Sequence, residues 1–156
     1  MLSLRPASPD DEHLILSWRN DASTRAASFG TAEIAPEEHH RWFIRKLLDP
    51  HCALLVVEQD GVPVGQVRLD RVAQEVAEIS IGLAPEARGR GLGREALRQA
   101  VLDAPRLLFV RSLKASVKRE NAASLAAFAS AGFHVVAEND DAVELLYGPQ
   151  IDPSTG

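Results

Sequence analysis

The chain predicts one α/β domain, and three observations along its 156 residues carry that prediction. Segments that alternate apolar and polar residues interchange with segments of helical period along almost the whole length. An Asp60-Gly61 pair joins two apolar runs, a strong hairpin signal. A turn rich in glycine and arginine, Arg88-Gly89-Arg90-Gly91-Leu92-Gly93, sits between an apolar strand and an amphipathic helix. A chain of this length buries roughly 70% of its unfolded surface, enough for a single core. No repeat or linker divides it, so the domain is assigned to 1–148 and a flexible tail to 149–156.

Each element follows from its residues. Leu2-Ser3-Leu4-Arg5 alternates as a first strand. Ser8-Pro9-Asp10-Asp11 is a capping box with proline at N1, which starts a helix running to about Asn20. A polar, glycine-containing stretch from Asp21 to Ala35 follows. A second helix, from about Pro36 to Leu48, carries His39, Trp42, Phe43 and Leu47 on one face. Strands at Ala53-Gln59 and Val62-Asp70 flank the hairpin turn, and Glu78-Leu83 alternates as a further strand until Ala84-Pro85 breaks it. Leu92, Ala96-Leu97 and Ala100-Val101 place a helix at about Gly91 to Leu102. A strand near Leu113-Val117 comes next, then a helix from about Asn121 to Ala131 ending at a C′ glycine, Gly132. Strands near Phe133-Ala137 and Val143-Tyr147 close the chain.

Composition narrows the function. The net charge of −5 argues against general nucleic-acid or membrane-surface binding, which needs a basic face. No apolar run of about 20 residues and no basic-then-apolar leader is found, so no membrane role is expected. The single cysteine, Cys52, cannot form an internal disulfide and fits a reducing cytoplasm. No metal site is predicted.

Against that acidic background Arg88, Arg90, Arg94 and Arg98 gather around the glycine turn, opposed only by Glu86 and Glu95. Glycines at a helix start let a ligand approach the backbone, and the unpaired N–H groups with the helix dipole favour an anion there. The turn is therefore a candidate pyrophosphate cradle. It has no Gly-Lys-Ser/Thr ending, so it is not a Walker loop. Its last glycine spacing and its mid-chain place also exclude a dinucleotide fingerprint.

The spacing Arg88-x-x-Gly91-x-Gly93 resembles the acetyl-CoA loop of the GNAT N-acetyltransferases. A second segment, Glu120-Asn121 through Ser124, Phe128, Gly132 and Phe133, is similar to the family's Asn…Ser…Tyr…Gly-Phe segment. The element order β-α-α-β-β-β-α-β-α-β-β matches too, so the resemblance spans nearly the whole chain. It implies a mixed central sheet of about seven strands with flanking helices. It also implies acetyl-CoA as cofactor, with the backbone from Gly89 through Arg90, Gly91, Leu92 and Gly93 to Arg94 on the pyrophosphate and Arg88 and Arg90 near the phosphates. Ile81, Gly82 and Leu83 would hold the pantetheine arm through backbone groups, a backbone N–H near Leu83 facing the thioester oxygen. Asn121 matches the residue that contacts the arm, and it also reads as an N-cap. A homodimer is a further implication, dimers being frequent in the family.

An alkylammonium of pKa about 10.4 is charged at neutral pH, so some group must take its proton. Glu78, on the strand leading to the loop where many relatives place a base, is one candidate, and His39 is the other. Phe128 stands where many members carry a tyrosine that protonates the leaving thiolate, and phenylalanine cannot do so. Thiols leave readily, with a reference pKa of about 8.5, so water can serve. Tyr147 and Cys52 are read as packing residues.

The acceptor side falls on the first two helices. Trp18-Arg19-Asn20-Asp21, Arg25, Ser28-Phe29, Glu37-Glu38-His39 and Trp42-Phe43, with Gly65-Gln66-Val67-Arg68 and Ala77-Glu78-Ile79-Ser80-Ile81, are similar to one subgroup. Its members acetylate UDP-4-amino sugars on the path to pseudaminic acid. In that reading Arg19, Asn20, Arg25 and Arg68 bind the substrate, the arginines meeting its diphosphate, and Trp42 or Phe43 stacks on uracil or sugar. Two alternatives stand beside it: an N-terminal acetyltransferase of the ribosomal-protein type, and a non-catalytic acetyl-CoA-binding module.

Overall fold

The computed structural model describes residues 1–150. The tail expected from 149 therefore lies mostly outside the described residues, and at its start the Pro149 carbonyl accepts a hydrogen bond from the buried Ser112 hydroxyl. Seven strands form one mixed sheet: β1 (Leu2–Pro6), β2 (Cys52–Gln59), β3 (Val62–Ala73), β4 (Val76–Leu83), β5 (Ser112–Lys118), β6 (His134–Glu138) and β7 (Ala142–Tyr147). Their spatial order is β1-β2-β3-β4-β5-β7-β6. Five helices join them: α1 (Glu12–Asn20), α2 (Ala22–Ala27), α3 (Pro36–Leu48), α4 (Leu92–Leu108) and α5 (Ala122–Ser130).

Only β4 and β5 run parallel, and α4 makes the crossover between them. The helix buries Leu92, Ala96, Leu97, Ala100, Ala104 and Leu108, a stripe at helical spacing that packs on β1 through β4. On the opposite face α3 lies on β2, and α1 touches β3 and β4. Ile15 and Phe43, both fully buried, fill the space beneath these two helices. At the start of α1 the Ser8 amide donates to the Asp11 carboxylate at 2.8 Å. Arg5 grips the same carboxylate from β1 at 2.8 and 2.9 Å and holds it below the usual carboxylate range, outweighing the burial that pushes it up.

Two elements differ from the sequence reading. Within 21–35 the structure has a helix, α2, started by the Asp21 side chain accepting from the Thr24 amide at 3.1 Å. None of its residues is buried, so it shows no apolar period by which it could be read. The helix expected to stop near Leu102 continues to Leu108 with Pro105 inside its last turn. Removing one amide there costs little, because the buried Ala104 and Leu108 still anchor the turn on the sheet.

The feature that positions the site is an interruption in the sheet. β3 pairs with β4 along its whole length, from Ala73↔Val76 to Gly65↔Leu83. β5 pairs with β7 from Leu113↔Tyr147 to Lys118↔Ala142. Between β4 and β5 the pairing stops after Val76↔Ser112, Ala77↔Leu113 and Glu78↔Lys114. Beyond Glu78 the strands diverge and leave one edge of β4 without a partner.

The β3 side of β4 is correspondingly tight. A Cβ on Gly65 would lie 2.5 Å from the Gly82 carbonyl oxygen and 3.1 Å from Leu83 Cα, both backbone atoms that cannot yield. Gly65→Ala is therefore expected to cost about 2 kcal/mol of stability in urea unfolding, as overpacking does. Gly82→Ala, whose Cβ would meet only Gln66 Cγ at 3.9 Å, is expected to cost clearly less in the same measurement.

Candidate active site

A cavity of about 850 Å³ occupies the gap between β4 and β5. At one end lies the glycine turn. Gly89 and Gly91 have φ of 78° and 75°, conformations that L side chains rarely adopt, and a Cβ on either would meet no atom within 4 Å. Gly91 is the N-cap of α4, and no side chain caps that end. Among the described residues the amides of Gly89 through Arg94 meet no acceptor, the first intrahelical bond being Glu95 N–H to Gly91 O at 3.3 Å. Six unpaired N–H groups at the positive end of a 17-residue helix, beside exposed Arg90 and Arg94, make an anion cradle with room for a diphosphate.

From this end the free edge of β4 runs into the cavity through Leu83, Gly82 and Ile81. The Ala84 amide donates to Val64 O on the β3 side at 2.8 Å. Alternation along the strand then turns the N–H groups of Leu83 and Ile81 toward the gap. The opposite wall comes from the start of α5. Asn121 Oδ1 accepts from the Ser124 amide at 3.2 Å, so the residue is the N-cap; it lines the cavity, and among the described residues its Nδ2 has no partner. The N-cap reading of Asn121 is thereby observed, and its place in the cavity wall is compatible with the contact to the cofactor arm that the resemblance implies. Phe128 lies in the same wall, 2% exposed and edge-on to Phe133 at 4.9 Å. Tyr147, the one tyrosine of the chain, packs on the far side of Phe133 and does not line the cavity. No phenol therefore reaches the position of a leaving thiolate. Cys52 lies outside the cavity too, and burial with the nearby Asp70 charge pushes its thiol up to about 12, which keeps it protonated.

The polar face of the strands forms the floor on the α2 side. Glu78 is exposed there, and among the described residues its carboxylate makes no hydrogen bond or ion pair. Ser80 follows on the same face of β4, Arg68 is its register partner on β3, and Ser116 adds a hydroxyl from β5. Ser80 was open to sequence reasoning, since residues two apart share a strand face. Ser116 was not, because its place depends on how β5 pairs.

The other acceptor-side residues stand behind this floor, and here the sequence reading needs correction. His39 is fully buried and does not line the cavity. Its Nε2 lies 2.9 Å from Glu12 O, which can only accept, so that nitrogen carries the proton. Its Nδ1 then accepts from Arg19 Nη1 at 3.0 Å. With both nitrogens engaged and the pKa lowered mainly by burial, His39 is a neutral core residue and no base for a substrate. Phe43 is fully buried and cannot stack on a ligand. Trp42 carries the Arg19 guanidinium over its ring at 3.9 Å and is likewise absent from the cavity wall. The Asn20 side chain donates to Ile34 O at 2.8 Å and accepts from Ile34 N–H at 2.7 Å, closing the 21–35 segment. Arg25 spans the same segment, donating to Asn20 O and Thr31 O. Of the six residues expected to bind substrate, only Arg68 reaches the cavity. In the donor loop Arg88 lines the cavity, and its guanidinium bonds Asp21, Ser23 and Thr24.

An anion cradle at a helix start, a strand edge open to an extended ligand and, at the far end of that edge, a carboxylate unpaired among the described residues are the parts a transferase needs for a donor that carries a diphosphate. Residues 1–134 match the family model described as the acetyltransferase (GNAT) domain, and the chain belongs to that family. It is an acetyl-CoA-dependent N-acetyltransferase, which decides against a mere binding module. Solved structures share the fold. Spermidine N-acetyltransferase from Vibrio cholerae, in complex with CoA and spermine, superposes with a TM-score of 0.86 at 21% identity, over 94% of this chain and 95% of that one. YncA from Salmonella typhimurium, with its cofactor acetyl-CoA, gives 0.80 at 24% identity over 97% of both chains. Ribosomal-protein-alanine N-acetyltransferase from Brucella melitensis gives 0.80 at 25% identity, over 94% of this chain and 99% of that one. No curated protein has a matching sequence.

Gly91→Val places a β-branched residue at φ 75° and a side chain in the open space of the cradle. Acetyl-CoA binding, followed by calorimetric titration, is expected to weaken by more than about tenfold. Wild-type affinity in that variant would remove the cradle. For His39 the sign of the pH effect is fixed. Its pKa is lower folded than unfolded, so its contribution to stability is fully present above about 6.5 and declines as acid protonates the unfolded chain. His39→Gln should lower the melting temperature, flatten its fall between about pH 7.5 and 5.5, and leave kcat per folded molecule unchanged.

Proposed function

We propose that the acceptor is a primary amine carrying an anionic group, with a UDP-4-amino sugar as the favoured case, and that Glu78 takes the proton of the amine. The observation that carries the chemistry is the Glu78 carboxylate, unpaired on the cavity floor at the last register position before β4 and β5 part. Acetyl-CoA supplies the activated acetyl group. The edge from Ile81 to Leu83 holds its arm as an added strand would, and the Leu83 N–H meets the carbonyl oxygen as charge develops there. One such donor lowers the barrier by about 3 kcal/mol. Glu78 accepts the proton directly or through one water, leaving a neutral nitrogen to attack in the ternary complex. Water, not a side chain, returns a proton to the thiolate.

Arg68 supports an anionic acceptor. Its Nε is fixed to Asp70 at 2.8 Å and Lys46 shares the same carboxylate at 2.8 Å, so Arg68 keeps a cationic face toward the cavity, beside Glu78, the register partner of Asp70. Phe29, 55% exposed on the α2 side of the cavity, offers the aromatic face for uracil or sugar that Trp42 and Phe43 do not. The single cysteine fits a cytoplasmic enzyme. A second reading, acetylation of an N-terminal alanine, is favoured by the 25% identity with the Brucella melitensis enzyme over nearly the full chain.

The test is free-thiol release from acetyl-CoA with UDP-4-amino sugars, alanine-starting peptides and polyamines offered in parallel. Turnover is expected with the sugars, and turnover confined to peptides or polyamines would overturn the acceptor assignment. With the working acceptor, Glu78→Gln should lower kcat by about 10²-fold or more near pH 7 and recover partly at higher pH as free amine accumulates. Its acetyl-CoA affinity should stay at the wild-type value. Unchanged turnover would remove Glu78 as the base.

A further inference from the structure

We infer that Arg88 is a positioning residue for the acceptor: it clamps the α2 wall of the cavity to the rim of the donor loop, and the loop amides hold the diphosphate without it. The Arg88 guanidinium donates to the Ser23 hydroxyl, to Thr24 Oγ1 at 2.6 Å, and to Asp21 Oδ2 and Leu83 O at 3.3 Å each. Three of these four acceptors lie at the start of α2, more than 60 residues away in sequence. The fourth is the last residue of β4, next to the free strand edge.

The clamp matters because α2 is placed by few contacts. The helix is six residues long and buries none of them. An isolated helix needs roughly 12–15 residues to be even marginal in water, so polar ties must set its place. At its far end Lys118 Nζ, from β5, donates to Ala26 O at 2.9 Å. The helix thus bridges the mouth of the gap, tied by one cation at the β4 side and one at the β5 side. Ser23, Thr24 and Ala27 line the cavity, and Phe29 follows directly after. Where Arg88 holds α2 therefore decides where Phe29 meets an acceptor. This last step rests on the acceptor side proposed above.

The same contacts keep Arg88 off the donor. Asp21 is held ionised by the Ser23 hydroxyl and the Thr24 amide, with Arg88 adding its charge. A diphosphate would have to break the clamp to recruit this guanidinium, whereas among the described residues the six loop amides, Arg90 and Arg94 have no such engagement.

The experiment compares the full-length chain with Arg88→Ala, Arg88→Lys and Asp21→Asn by acetyl-CoA calorimetry and by amide hydrogen exchange over residues 22–29. In Arg88→Ala exchange is expected to quicken by about tenfold while the acetyl-CoA Kd stays within about twofold. Asp21→Asn, which keeps the cap and loses the charge, should move exchange the same way by less, and Arg88→Lys should restore part of the protection. Neither readout needs an acceptor, so failure of the nucleotide-sugar reading leaves this test intact. With an acceptor in hand, KM for it should rise about tenfold in Arg88→Ala with kcat nearly constant. Unchanged exchange in Arg88→Ala, or a Kd for acetyl-CoA raised about tenfold, overturns the assignment.

Discussion

Everything that this molecule can do depends on two parallel strands that stop pairing too soon. β3 holds β4 along its entire length and β7 holds β5 along its own, so each belongs firmly to one half of the sheet. The halves meet over three register positions only. Past Glu78 the free edge of β4 has N–H and C=O groups whose hydrogen bonds must come from elsewhere. An extended amide-bearing chain answers that need as a third strand would, without distorting either half. Behind the gap α4 rests its buried stripe on the four strands of one half and packs against α5, which follows β5, while its start faces the mouth of the gap.

The anion cradle is a consequence of the same arrangement. A parallel pair requires a crossover, and a helix that begins where β4 ends places its unpaired amides at the end of the open edge. Two residues with positive φ make the turn that brings them there. The donor site is therefore built mostly of main chain: strand edge, helix start and glycine turn. Its side chains have fewer duties: the Arg88 guanidinium is bonded to the start of α2, and Phe128 is buried and apolar.

This difference explains what could be read in the sequence. The glycine turn, the Asp60-Gly61 hairpin, the capping box at Ser8 and the cap at Asn121 are local devices whose residues announce the backbone that they need. The spatial strand order and the length of the β4–β5 pairing are not local, and no residue pattern announces them; the family resemblance carried only a mixed sheet of about seven strands. On the acceptor side the residues most suggestive of chemistry misled. His39, Trp42 and Phe43 share a helix face in the sequence as in the fold, but periodicity cannot tell whether such a face looks into a cavity or into the core. α2 was illegible for the opposite reason: its place is held by polar contacts that reach across the chain.

The misleading residues still act on the site, one layer removed. The Glu12 carbonyl orients His39, and His39 accepts from Arg19. Arg19 lies over Trp42, and the Arg68 guanidinium sits 5.4 Å from the same ring. Two arginines so close repel, and with burial as the larger cause the charge of Arg68 brings Arg19 down to about 10, still a cation at neutral pH. Both cations lie within reach of the Trp42 ring, whose π-surface attracts each of them. Arg19 is thereby held inward against the histidine, while Arg68, fixed by Asp70, is left as the cation of the cavity floor. An aromatic and basic stretch that resembles a binding site is thus the support for the one cation of the stretch, Arg68, that lines the cavity.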